Sequence, residues 1–189
     1  MFEADKNMNK SQSQLVKFPI LTTRHLILRQ LAEDDIPGLI DLRSDEQVNR
    51  YLNRPKSMTA EEANAFIKKI NDGFNKGWYY WVISLKGDQK LIGTICLWNF
   101  DDANKSIEIG YELMPAFQGQ GLMHEALAEV IAFATLHLKL IIAHTLSENE
   151  RSKNLLERSG FTVDPVLAEK LLTEEPGNTE VVYSLLAPI

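Results

Sequence analysis

The segment "QGQG", Gln118–Gly121, is the part of the chain whose residue types and spacing most directly suggest binding chemistry. It follows a strand-like run and precedes a helical pattern, with no Ser, Thr, Asp or Asn placed to cap that helix. First-turn N–H groups need partners, because an unpaired buried donor costs about 1–3 kcal/mol. Glycines leave these amides uncovered, which suits an anion held by the N–H groups and the helix dipole. The alternative is that the glycines only permit a tight turn whose donors water satisfies.

The spacing of the glycines limits which anion this segment is expected to bind. It matches neither the Walker pattern GxxxxGK(S/T) nor the dinucleotide pattern GxGxxG, whose third glycine would fall at His124. A phosphate-bearing cofactor other than ATP or a dinucleotide is therefore favoured. The histidines show no HxxxH or comparable ligand spacing, so no metal site is expected; they are His25, His124, His137 and His144.

Two predicted strands flank this segment and the helix after it. "SIEIGYEL" from Ser106 alternates as a strand, and "LIIAHTL" from Leu140 follows the helix. The helix is predicted from an apolar stripe at helical spacing: Leu127, Val130, Ile131, Ala134 and Leu138. A strand–helix–strand crossover is right-handed and makes its two strands parallel, here within an otherwise antiparallel sheet.

The rest of the chain also alternates between helix and strand patterns. Thr59 and Glu62 form a capping-box pattern that opens a helix ending near Gly77, and Ser147 with Glu150 forms another before a helix that ends at Gly160. Other patterns are the strand "LILRQL", the short helix "DDIPGLIDLRSD", and the strands "YYWVISL", "LIGTICLW", Phe161 to Val163 and "VVYSLL". The predicted order is β, α, α, β, β, β, α, β, α, β, β.

Composition limits the class of protein. A chain of 189 residues, 44% of them hydrophobic, is expected to form one domain over residues 18–189, after a polar and flexible arm over residues 1–17. The net charge of −6 argues against nucleic acid as a direct partner. The only cysteine, Cys96, excludes a disulfide within the chain and fits the core of a protein in a reducing compartment. No signal peptide or membrane segment is evident, so a cytoplasmic location is expected.

Two separated motifs, "EIGYELMPAFQGQGLMHEAL" and "NERSKNLLERSGF", resemble the GNAT acyltransferases. The likeness is strongest to the branch that includes the bacterial ribosomal-protein N-terminal acetyltransferases, and it extends over roughly residues 21–186. It implies the α+β GNAT fold, with a mixed, mostly antiparallel sheet of about seven strands and helices on both faces. Within that sheet, two parallel strands splay apart to hold the cofactor, acetyl-coenzyme A.

The resemblance also implies which residues bind this cofactor. The family pattern Q/R-x-x-G-x-G/A wraps the pyrophosphate, and its six positions are Gln118, Gly119, Gln120, Gly121, Leu122 and Met123; Met123 replaces the usual Gly or Ala. Tyr111, Glu112 and Leu113 match the strand edge that pairs with the pantetheine arm. Asn149 matches an asparagine near the thioester, with Ser152 and Asn154 close to the cofactor. Without the family, Asn149 also fits a simple helix cap.

Acetyl transfer to an amine requires a neutral nucleophile. An α-amino group, with a pKa near 8, is deprotonated at neutral pH for about 1 kcal/mol, whereas a lysine-like amine costs about 4–5 kcal/mol. Glu108 and Glu112 lie on one face of the predicted strand, and both are candidate bases. Glu108 ranks first because it matches the base position of several GNAT enzymes. The alternative for Glu108 is an exposed carboxylate or an ion-pair partner.

Acetyl transfer also produces a leaving thiolate and an oxyanion, and both must be stabilised. Many GNAT enzymes carry a tyrosine acid seven residues after the asparagine, where this chain has Leu156. A thiol with a pKa near 8.5 leaves as thiolate at pH 7 for about 2 kcal/mol, so a dedicated acid is dispensable, and Ser152 is a substitute candidate. A backbone N–H near Leu113 is expected to meet the oxyanion.

The sequence thus predicts an acetyl-coenzyme A dependent N-acetyltransferase without a metal. Its acceptor is expected to be a protein N-terminal α-amino group, ribosomal proteins included, or a small amine such as a polyamine or aminoglycoside. A non-catalytic sensor that binds an acyl-coenzyme A is the rival from another class. No membrane partner is expected, and monomer and homodimer both remain open.

Overall fold

The computed structural model describes residues 17–175 and 177–187. The predicted flexible arm therefore lies outside the described residues, apart from Lys17. The described part of the chain forms an eight-stranded sheet in the order β1-β2-β3-β4-β5-β6-β8-β7. Its strands are β1 (Leu21–Thr22), β2 (Leu26–Gln30), β3 (Tyr79–Leu85), β4 (Gly93–Asp101), β5 (Ser106–Leu113), β6 (Leu140–Leu146), β7 (Thr162–Val163) and β8 (Glu180–Leu186).

Five α-helices occur among the described residues: α1 (Ile36–Ser44), α2 (Ala60–Gly73), α3 (Leu122–Thr135), α4 (Glu150–Arg158) and α5 (Pro165–Glu174). The predicted capping box of α2 is confirmed, because Thr59 Oγ1 accepts from Glu62 N at 3.2 Å and the Glu62 carboxylate accepts from Thr59 N at 2.8 Å. A short 3-10 turn continues α2 to Lys76, and Gly77 ends it with a φ of 84°. None of these helices is long and apolar enough to cross a bilayer.

Apolar side chains on the two faces of the sheet hold helices on both sides of it. One face packs against α3 and α4, and Trp81 of β3 and Leu127 of α3 are fully buried between them. The other packs Tyr80 and Val82 against Leu39 of α1 and residues of α2. This alternation of neighbouring residues between opposite faces follows from the period of two of a β-strand. The helices on both faces confirm the predicted α+β architecture.

The parallel pair, β5 and β6, is joined over only part of its length. Its register runs from Ser106 opposite Leu140 to Glu108 opposite Ile142 and then stops. Beyond that point β5 stays paired with β4, and β6 stays paired with β8 as far as Leu146. The two strands therefore separate, and no other strand of residues 17–175 and 177–187 pairs with the open edge at the end of β5.

One strand and one α-helix of the described residues were not predicted from the sequence. The sheet has eight strands rather than about seven, because the two-residue β1 pairs antiparallel with β2. Helix α5 was not predicted, because none of its residues is buried and its apolar pattern is weak. A start signal was nevertheless present, since Asp164 caps α5 and Pro165 occupies its first position.

Candidate active site

The open edge of β5 carries backbone groups that can pair with a ligand. Met114 N donates to Ile92 O on the β4 side, at 2.9 Å. Because backbone groups along a strand alternate in direction, those of Tyr111 and Leu113 point to the opposite, unpaired side. The backbone of Glu112 faces β4, so Glu112 is the least suited of the three predicted edge residues to pair with a pantetheine arm.

The glycine segment forms an array of open amides at the start of α3. Gly119 and Gly121 have φ angles of 75° and 79°, and a Cβ at either position would meet no atom within 4 Å. In the part of the chain that the structure describes, no side chain caps α3, and Glu125 N, which donates to Gly121 O, is the first amide in the helix to find an acceptor. Within the described residues the six amides of 119–124 donate to no protein group. This array can hold an anion. Since the side chains of Leu122 and Met123 are buried in the core, these two residues offer only their amides.

Gln118 links the end of β5 to α4. Its Nε2 donates to Leu113 O at 2.8 Å, and its Oε1 accepts from Arg151 Nη1 at 2.7 Å. The side chain of Gln120 instead donates to Ala116 O. The sequence did not identify Arg151, because nothing in its local pattern distinguishes it from other exposed basic residues.

Glu112 is held in an ion pair. Both of its carboxylate oxygens accept from Arg54, at 2.8 and 2.6 Å, and the side chains of Arg54 and Glu112 are only 13% and 16% exposed. Arg54 also donates to Asn49 Oδ1 at 2.6 Å, and Asn49 in turn donates to Arg43 O. A carboxylate bound in this way is poorly placed to accept a proton from an amine. The sequence could not reveal the pair, because 58 positions separate its members.

Glu108 lies on the same face of β5 as Glu112, four residues away, which is about 13 Å along a strand. One of its oxygens accepts from Asn99 Nδ2 at 3.1 Å, and within the described residues the other has no hydrogen-bond partner. Glu108 stands where β5 and β6 separate, opposite Ile142. Of the two predicted bases, Glu108 is therefore the one with a free carboxylate oxygen.

Ser152 and Tyr111 form a hydroxyl pair across the gap between β5 and α4. Tyr111 Oη and Ser152 Oγ are 2.8 Å apart. Burial raises the pKa of Tyr111 to about 12, against a smaller lowering by the Ser152 hydrogen bond, so this phenol stays protonated at neutral pH. Leu156 is fully buried in the core and offers no acid.

Asn149 is the N-cap of α4, and its Oδ1 accepts from Ser152 N at 3.3 Å. The predicted Ser147–Glu150 capping box is therefore wrong, since the helix begins at Glu150, two residues later than that pattern required. The cap uses only the oxygen of the amide, and Asn149 Nδ2 forms no hydrogen bond with a described residue. Asn154 bonds within its own helix, to Glu150 O at 2.7 Å.

A second cluster, which the sequence did not reveal, fixes the first turn of α3. One oxygen of Glu125 accepts from the His25 amide at 2.7 Å and from the Thr23 hydroxyl, and the other lies 2.8 Å from His25 Nδ1. Burial would raise the pKa of Glu125, but the hydrogen bonds from His25 and Thr23 outweigh it and lower the pKa to about 2. The cluster ties the turn between β1 and β2 to the helix that begins at the open amides.

This depressed pKa predicts a loss of stability in acid. A carboxyl whose folded-state pKa lies below its ordinary value of 4.5 stabilises the fold above that value and loses this contribution as the pH falls toward about 2. Replacing Glu125 with Gln should lower the free energy of unfolding at pH 7 by about 1 kcal/mol, after allowance for solvent screening. Urea unfolding at pH 7 and pH 3 should show a smaller difference between wild type and variant in acid. Glu129→Gln on the same helix is the control, and an equal effect there would contradict the assignment.

Comparison with known proteins places the chain in a class. The family described as acetyltransferase (GNAT) domain matches residues 25–162. The protein belongs to this family and is an N-acetyltransferase of the GNAT type.

Individual relatives support this membership. The N-acetyltransferase YoaA of Bacillus subtilis strain 168 is 30% identical over 174 residues, covering 90% of this chain and 98% of YoaA. The ribosomal protein uS5-alanine N-acetyltransferase of Escherichia coli K12 is 27% identical over 181 residues, covering 89% of this chain and 91% of that enzyme. The solved structure of RimL, a ribosomal L7/L12 α-N-protein acetyltransferase in complex with coenzyme A, superimposes with a TM-score of 0.76 at 19% identity, covering 89% and 98% of the two chains. This superposition supports the fold.

Proposed function

We propose that the protein transfers an acetyl group from acetyl-coenzyme A directly to a primary amine, and that its preferred acceptor is the α-amino group of a protein N-terminus. The observation that carries the proposal is the array of six open amides at residues 119–124, next to the edge of β5 beyond the point where β6 separates from it. A diphosphate needs the first of these features and an extended amide-bearing arm needs the second. Coenzyme A contains both groups.

The residues present fit this cofactor. The amides from Gly119 onward would hold the diphosphate, and the edge at Tyr111 would pair with the pantetheine arm as an added strand does. The Leu113 N–H points to the same open side and would donate to the oxyanion, whereas Leu113 O is already bonded to Gln118. The thioester would then lie in the gap between β5 and β6.

The chemistry follows from the two hydroxyls and the free carboxylate. The amine nitrogen attacks the thioester carbon, and Glu108, directly or through a water molecule, takes the proton that the amine loses. The C–S bond then breaks, and the sulfur leaves as a thiolate that would accept a hydrogen bond from Ser152, whose hydroxyl is held by Tyr111, and later takes its proton from water. No covalent enzyme intermediate is needed.

The choice of acceptor rests on the strength of the available base. Of the two predicted bases, Glu112 is engaged by Arg54 and only Glu108, which is partly exposed, keeps a free oxygen. Such a base is better matched to an amine whose deprotonation costs about 1 kcal/mol than to one whose deprotonation costs about 4–5 kcal/mol. The E. coli relative named for alanine acetylation of ribosomal protein uS5 supports the same choice. A small amine is the remaining enzymatic alternative.

Matched acceptors test this proposal. One peptide carries a free N-terminus and no lysine, a second has a blocked N-terminus and one lysine, and a polyamine and an aminoglycoside complete the set. We expect kcat/KM to be at least about 100-fold higher for the free N-terminus, in line with the difference in deprotonation cost. If the enzyme prefers the small amines, the proposed protein N-terminus is not the acceptor. If the protein binds acetyl-coenzyme A but transfers the acetyl group to none of the amines, the function as a non-catalytic sensor is favoured.

The amide array itself is tested by Gly119→Ala. An L-residue in the left-handed region costs about 1–2 kcal/mol, and relaxation of this strain would turn the amides away from the diphosphate. We expect KM for acetyl-coenzyme A to rise about tenfold with little change in kcat. Gly87→Ala is the matched control, because Gly87 also has a positive φ, 86°, and open space at its Cβ, but lies in the turn after β3. An equal rise in both variants would contradict an anion-binding role for Gly119.

A further inference from the structure

We infer that Arg151 is a binding residue for the diphosphate of the cofactor and supplies the positive charge that the amide array lacks. This inference rests on the proposed function, since it assumes that coenzyme A is the ligand. It adds a residue on α4, outside the glycine segment, to the group of residues that hold the phosphates.

The charge balance around the amides calls for a cation. A diphosphate diester is a dianion, yet residues 114–124 contain no Lys or Arg, and the next residue, Glu125, is acidic. Arg151 is exposed, and within the described residues it forms no ion pair with a carboxylate. A guanidinium group suits phosphate oxygens, because its N–H groups can donate two parallel hydrogen bonds.

The geometry brings this cation to the array. Arg151 Nη1 donates to Gln118 Oε1 at 2.7 Å, and Gln118 directly precedes the first open amide, that of Gly119. Gln118 is itself fixed by its hydrogen bond to Leu113 O, so it holds the guanidinium of Arg151 between the end of β5 and α4. Only Nη1 is used in this bond, and the other N–H groups of Arg151 have no partner within the described residues.

Lys153 is the neighbouring cation on α4, and its contacts differ. Its Nζ lies 2.7 Å from Glu150 Oε1 and 3.0 Å from Ser147 O. The charge of Lys153 is therefore already compensated, and replacing it changes the net charge of α4 by the same amount as replacing Arg151. Lys153→Gln is thus a matched control for Arg151→Gln.

The test measures steady-state kinetics of wild type, Arg151→Gln and Lys153→Gln with a series of shortened acetyl thioesters. The series is acetyl-coenzyme A, its 3′-dephospho form, acetyl-4′-phosphopantetheine and acetyl-pantetheine. For Arg151→Gln we expect KM to rise about tenfold with acetyl-coenzyme A and with the 3′-dephospho form, and to change less than about twofold with acetyl-pantetheine, which has no phosphate. Lys153→Gln should leave KM unchanged throughout.

Three results would overturn the inference. If KM of Arg151→Gln rises equally with acetyl-pantetheine, the role of Arg151 is purely structural. If KM of the variant equals that of wild type once the 3′-phosphate is removed, Arg151 binds the ribose phosphate rather than the diphosphate. An unchanged KM with acetyl-coenzyme A would give it no binding role. Failure of the proposed function looks different, because wild type would then use none of the thioesters.

Discussion

Replacing Glu108 with Gln should lower kcat about 100- to 1000-fold at pH 7, the range expected for removal of a general base. The substitution keeps the shape of the side chain, and Asn99 can still donate to its oxygen. What is lost is the free carboxylate oxygen that would accept the proton of the attacking amine. KM for acetyl-coenzyme A should stay within about threefold of the wild-type value, because Glu108 lies on the face of β5 away from the glycine segment.

A pH–rate profile separates this role from a structural one. If Glu108 is the base, kcat of Glu108→Gln should rise with pH until the acceptor amine is itself deprotonated, so that the deficit relative to wild type narrows at high pH. Glu108 is not the general base if kcat of Glu108→Gln falls less than about threefold. The same conclusion follows if the loss of kcat relative to wild type is equal at every pH. Asn99→Ala is a useful companion, since it deletes the hydrogen-bond partner and keeps the carboxylate.

Replacing Glu112 with Gln should lower the free energy of unfolding by about 3 kcal/mol, because it leaves the largely buried guanidinium of Arg54 without its counter-charge. Urea unfolding followed by tryptophan fluorescence measures this change. The double variant Arg54→Met/Glu112→Gln should recover most of the loss, since it removes both buried charges together. At temperatures where Glu112→Gln remains folded, its kcat should fall much less than that of Glu108→Gln.

The roles of Glu108 and Glu112 would be exchanged if the Glu112 variant lost activity and the Glu108 variant did not. A stable Glu112→Gln variant with a kcat lowered about 100-fold would make Glu112 the base in spite of its ion pair. A double variant as unstable as the single one would show that the cost does not arise from an unpaired Arg54.

The elements that position the site could be predicted from sequence because local patterns specify them. The alternation in "SIEIGYEL", the glycines before α3 and the apolar stripe of α3 each reflect neighbouring residues, and the separation of β5 and β6 followed from the family resemblance. The strands from Tyr79 and Ser106 have the predicted starts. Helix α5 was missed because its apolar pattern is weak despite its start signal, and β1 was missed because it is only two residues long.

The pairings that decide chemical roles could not be predicted, because they join residues far apart in the chain. Nothing around Glu112 indicates Arg54, and nothing around Glu125 indicates His25 and Thr23, which lie about a hundred positions away. The family resemblance ranked Glu108 above Glu112, but the strand pattern placed both carboxylates on one face, and the long-range ion pair of Glu112 is what distinguishes them physically. The hydroxyl pair of Tyr111 and Ser152 likewise required the fold.

A crystal structure with acetyl-coenzyme A bound shows whether the open amides hold the diphosphate. We expect diphosphate oxygens within about 3 Å of several amides between Gly119 and His124, with the pantetheine arm along the open edge of β5. A cofactor bound elsewhere, with these amides facing only solvent, would contradict it.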